Sequence, residues 1–78
     1  MKKVEVFVSP TCSFCPMAVE IIKRIEEDVD IDVEYLDIIE SRTRALEYGL
    51  MAVPAIAIDG KIKFVGVPEE EELRKELE

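Results

Sequence analysis

Cys12-Ser13-Phe14-Cys15 holds the only two cysteines of a 78-residue chain, three residues apart. The alternating apolar run Val4-Glu5-Val6-Phe7-Val8 reaches it through Ser9-Pro10-Thr11, and an amphipathic pattern leaves it at Phe14. Apolar positions 14, 18, 21, 22, 25 and 29 fall on one helical stripe, which predicts a helix from about Ser13 to Asp28. Pro16 belongs in the first turn of that helix, where a missing N–H costs nothing. The cysteine pair therefore lies at a strand-to-helix junction. The first N–H groups of a helix lack intrahelical partners and carry the positive end of the helix dipole, a setting that favours a thiolate at Cys12.

Working outward, Val4, Val6 and Val8 face one way, with Glu5 and Phe7 on the other side of the strand. Ile31 to Asp37 alternates Ile, Val and Tyr against Asp and Glu, with Leu36 breaking the polar side, and reads as an edge strand. The helix between these strands makes them parallel, joined by a right-handed crossover. A short helix follows from Ser41, the N-cap residue, to Tyr48, with Ala45 and Leu46 turned inward and Gly49 as a left-handed terminator. Ala55 to Ile58 and Lys61 to Val65 flank Asp59-Gly60, a two-residue hairpin signal. A last helix opens at Pro68 and docks through Leu73 and Leu77. The order is strand, helix, strand, helix, strand, strand, helix: an α/β domain with a mixed four-stranded sheet, one domain over residues 1–78.

Net charge is −8, with six acids against two bases from Glu69 to Glu78 and no charge at residues 9 to 19. An acidic chain without a basic stripe is a poor partner for nucleic acid or an anionic membrane. No apolar run approaches the roughly 20 residues of a membrane span, and Met1-Lys2-Lys3 leads into a strand instead of a signal-peptide core. A cytoplasmic protein is expected. His, Trp, Asn and Gln are absent and Glu is abundant, a bias found in hyperthermophiles, whose intracellular proteins do carry disulfides.

Three stretches together carry a family resemblance: Cys12-Ser13-Phe14-Cys15 after the first strand, Tyr48-Gly49-Leu50-Met51-Ala52-Val53-Pro54-Ala55 before the third, and Asp59-Gly60 after it. The whole chain resembles a minimal thioredoxin fold, close to the small archaeal thioredoxins of glutaredoxin size. The resemblance implies a cis peptide bond at Pro54, packed against the two sulfurs, and backbone groups at Val53 that meet a client chain. It implies protein disulfide oxidoreduction by Cys12 and Cys15, with Phe14 and Met51 as apolar walls around Val53 and Pro54. Thr11, Ser13 and Pro16 complete the motif. The implied partners are client proteins with disulfides and an electron donor of the thioredoxin-reductase kind, acting on a monomer with no cofactor. Two departures stand out. Ser-Phe replaces the dipeptides usual between the cysteines, and Gly66-Val67-Pro68-Glu69 keeps one of the two glycines with which glutaredoxins hold glutathione.

A second reading of the same loop is a metal-binding or metallochaperone module. Thr11-Cys12-Ser13-Phe14-Cys15 is also similar to the loop of small heavy-metal domains, and two thiolates hold Cu(I) linearly. Those domains run strand, helix, strand, strand, helix, strand, so element order discriminates. A purely structural pair is the third reading, but so short a disulfide loop constrains the unfolded chain little.

Overall fold

The computed structural model describes every residue except 1 and 51. Its elements are β1 (Lys2–Val8), α1 (Cys15–Asp28), β2 (Ile31–Asp37), α2 (Arg42–Glu47), β3 (Ala55–Ile58), β4 (Lys61–Val65) and α3 (Glu70–Leu77). The sheet order is β2-β1-β3-β4. β1 pairs parallel with β2 and antiparallel with β3, and β3 pairs antiparallel with β4. This is the expected β-α-β-α-β-β-α arrangement, and it is not the order of the heavy-metal domains.

The two residue sets of β1 separate the layers. Val4 and Val6 pack with Ile22 and Ile25 of α1, Ile56 and Ile58 of β3, and Leu73 and Leu77 of α3. Phe7 packs on the opposite face with Ala45, Ala55 and Ala57, bordered by Tyr48, Leu50 and Val53. Two helices thus cover one face and the short α2 covers the other. β4 departs from simple alternation, which would place Ile62 and Phe64 on one face. Ala57 pairs with Ile62 and Ile56 with Phe64, so a bulge at Lys63 turns the two side chains to opposite cores.

Turn chemistry matches the sequence at both predicted points. Asp59 and Gly60 have φ of 49° and 85°, the pair of positive values a tight two-residue hairpin demands. Gly49 has φ of 65°, and the Leu50 N–H reaches back to the Ala45 carbonyl at 3.1 Å, closing a Schellman motif at the end of α2. Three expectations are corrected. Leu46 is 68% exposed, because a six-residue helix presents only Ala45 to the sheet. Ser41 occupies the N-cap position without a side-chain cap, and the turn before it is closed instead by Asp37, whose Oδ1 accepts from the Ile39 N–H at 2.7 Å. Pro68 is buried two residues ahead of α3, which starts at Glu70.

Arg24 and Arg74 bridge α1 and α3 through Glu70 and Asp28 at 3.0 Å each, exposed pairs worth little individually. The docking of α3 rests on Leu73 and Leu77. Leu73→Ala is expected to cost about 2–5 kcal/mol in denaturant unfolding, whereas Leu46→Ala stays within about 0.5 kcal/mol.

Candidate active site

β1 leads out of the sheet at Val8, and the chain turns tightly, with the Cys12 N–H donating to the Ser9 carbonyl at 3.1 Å. Ser9 Oγ also accepts from the Thr11 N–H at 3.3 Å. The turn delivers Cys12 to the start of α1, where Phe14 is the N-cap and offers no side-chain acceptor. Sulfur takes that role: the Cys15 N–H donates to Cys12 Sγ at 3.1 Å. Cys12 and Cys15 are joined in a disulfide with Cα atoms 5.5 Å apart. Cys12 is half-buried, whereas Cys15 is only 4% exposed, so Cys12 is the more accessible residue of the pair.

The rim is uncharged. Thr11, Ser13 and Pro16 are exposed, as are Met17 and Phe14, the latter at 62%. Phe14 therefore begins the helical stripe but does not enter the core. It lies between the two cysteines in the chain, with its side chain left largely to solvent.

Strand pairing brings the Val53–Pro54 segment to the same end of the sheet. Phe7 is opposite Ala55 in the antiparallel β1–β3 ladder, so the residues before Ala55 emerge at the sheet end where β1 gives way to the cysteine turn. The Val53–Pro54 bond is cis, as the resemblance implied. Pro54 is fully buried, Val53 is partly buried, and the Pro54 carbonyl accepts from the Gly66 N–H at 2.7 Å. Met51, expected as a further wall, lies outside the described residues.

Glu5 is what sequence reading missed. Alternation placed it with Phe7 opposite the valines, but its burial to 2% exposure was not foreseen. The Tyr48 hydroxyl donates to Glu5 Oε1, and the Arg44 guanidinium lies against Oε2 as an ion pair, though Oε2 has no hydrogen bond of good geometry. Tyr48 also meets Phe7 edge to face at 5.4 Å. The available signal was Arg44 in α2 and Tyr48 at its C-cap, four residues apart and so on one side of the turn, a cation and a hydroxyl able to meet a carboxylate. This cluster anchors the helix that leads into residues 49–54.

Among the described residues no group of three or more His, Cys, Asp or Glu side chains is gathered to hold a metal. No helix among them is long and apolar enough to cross a membrane. A Cys-x-x-Cys pair capping a helix, in this element order and at the same sheet end as a cis-proline segment, is the arrangement of a thiol–disulfide oxidoreductase acting on protein disulfides. The model of the thioredoxin domain family matches residues 2–78, and the chain belongs to that family. A probable thioredoxin of Methanothermobacter thermautotrophicus is 56% identical over 72 residues, 90% of this chain and 85% of that protein. A thioredoxin of Methanocaldococcus jannaschii is 40% identical over 73 residues, 91% of this chain and 86% of that protein. The solved structure of a mutant thioredoxin from Halobacterium salinarum superposes with a TM-score of 0.85 at 25% identity, covering 97% of this chain and 71% of that one.

Both tyrosines resist ionisation. Burial, then the hydrogen bond and charge of Glu5, raise Tyr48 above its ordinary 10.0. Burial, then the charge and hydrogen bond of Glu26, push Tyr35 up to about 12. A folded-state value above the unfolded one means that the associated stability is full below pH 10.0 and is lost as pH rises through the folded value. Tyrosinate absorbance in an alkaline titration is expected to develop above pH 10.0, with a component near 12 that Tyr35→Phe removes.

Proposed function

We propose that Cys12 is the attacking thiolate and Cys15 the resolving thiol of a reductant of protein disulfides. The observation that carries this reading is the asymmetry of the pair: Cys12 is the more accessible sulfur and accepts the N–H of Cys15, and Cys15 is buried. In the reduced protein, helix N–H groups aimed at Cys12 stabilise its anion over its thiol. Cys12 attacks one sulfur of the client disulfide, forming a mixed disulfide and releasing the other client sulfur as a thiolate that takes up a proton. Cys15 then gives up its proton and attacks Cys12, expelling the second client thiolate. The client gains two electrons and two protons, and the protein keeps the disulfide seen here. Closure is fast because both sulfurs already share one turn.

Val53 and Pro54 form the wall against which the client lies, with Phe14 opposite. A reductase of the thioredoxin-reductase kind returns the electrons. The family membership supports disulfide-bearing proteins as clients, and the net charge of −8 without a basic stripe disfavours nucleic acid and anionic membranes as partners.

Cys15→Ser is expected to accumulate covalent mixed disulfides with client proteins through Cys12, whereas Cys12→Ser abolishes reduction; no covalent complex with Cys15→Ser overturns the two-step order. A redox-buffer titration followed by alkylation reports the direction. A midpoint near roughly −270 mV fits a reductant, and one near −120 mV fits an oxidant.

A further inference from the structure

Next to Val53 the surface opens into a groove of about 260 Å³ between α2 and the segment that follows it. Ile38, Leu46, Leu50 and Val53 line it, with Arg42 the one charged residue among the described lining. Leu46 is 68% exposed here, and Ile39 next to Ile38 is 67% exposed, so this side of the molecule keeps apolar surface that the core does not use. The chain has four arginines. Arg24, Arg44 and Arg74 each sit on a carboxylate within 3.0 Å. Among the described residues Arg42 alone sits on none, although Glu40 and Glu47 are its neighbours in sequence.

We propose that Arg42 is a specificity-determining residue that selects clients carrying a carboxylate and a bulky apolar side chain at set positions beside the reducible cysteine. The proposal rests on the reading that clients lie against Val53 and Pro54. From that wall the groove is continuous, so an extended client segment crossing Val53 places one neighbouring side chain among Ile38, Leu46 and Leu50. A guanidinium at the edge of this apolar surface gives a planar, two-pronged donor for a carboxylate. It has no internal carboxylate to release first.

The net charge of −8 acts in the other direction at long range, slowing the approach of any acidic client. That field is screened beyond about 10 Å at 0.1 M salt, whereas the Arg42 contact is made within ion-pair distance. The two effects separate if clients share one net charge and differ only in where the carboxylate sits. An arginine that is merely solvated would not register its position.

The test uses three isomeric peptides, each with one cysteine in a disulfide to the same small aromatic thiol, one leucine beside the cysteine, and one glutamate moved among three nearby positions. Reduction by the dithiol protein is followed by release of the aromatic thiol at moderate salt. One isomer is expected to exceed the slowest by about three- to five-fold in kcat/KM, the scale of an exposed ion pair. Arg42→Gln, at an exposed position with no partner to lose, is expected to fold normally and to narrow the spread below about 1.5-fold. Equal rates with the unmodified protein, or a spread that survives Arg42→Gln, overturn the selectivity while leaving the dithiol chemistry standing. If no isomer is reduced at all, the dithiol reading falls and the role of Arg42 falls with it.

Discussion

The antiparallel register of β1 against β3, with Phe7 opposite Ala55, is the constraint on which the site depends. Cys12 and Pro54 are far apart in the chain, and neither helix nor turn propensity brings them together. β1 ends at Val8 and the cysteine turn begins within four residues, whereas β3 begins at Ala55 immediately after the cis bond. Fixing the ladder fixes both at one sheet end. A slip of one residue would send the valines of β1 to the α2 side and Phe7 to the side of α1, so the two cores hold the register as firmly as the backbone hydrogen bonds do.

The two faces of β1 are held by different physics. Valines against isoleucines and leucines under α1 and α3 make an ordinary apolar core. The other face is thin: α2 buries only Ala45, and the contacts that seat it are Phe7 with Tyr48 and the carboxylate of Glu5 with Tyr48 and Arg44. An ion pair with its carboxylate buried and its guanidinium exposed is weak evidence for stability, because desolvation of Glu5 offsets much of the attraction. Its directionality is what the apolar contacts lack. It orients the short helix whose Schellman end passes directly into the segment carrying Val53 and Pro54. The apolar side of α2 left outside the core, Leu46 above all, then borders the groove next to Val53.

Oxidoreduction by a Cys-x-x-Cys pair asks little of the remaining chain except geometry. The N-terminus of α1 supplies an N–H at Cys12 Sγ, the turn from Ser9 to Thr11 holds the outer sulfur near solvent, and α1 buries the inner one. Residues 9 to 19 carry no charge, so in an otherwise acidic chain the stretch around the cysteines contributes no carboxylate of its own.

By itself the sequence determined what local rules control. Alternation marked β1 and β2, a single apolar stripe marked α1, Asp59-Gly60 and Gly49 marked the turns that need positive φ, and the two cysteines marked the chemistry, because each of these depends on neighbours a few residues away. Only the tertiary structure decided the rest. It buried Glu5 because α2 brought Arg44 and Tyr48 over it, left Leu46 outside because a helix of six residues offers the sheet one narrow face, and turned Ile62 and Phe64 to opposite cores through a bulge. It also set Arg42 in a groove without a carboxylate, though Glu40 and Glu47 are close in sequence. Each of these depends on which element lies across from a residue, information that periodicity along one strand or helix does not contain.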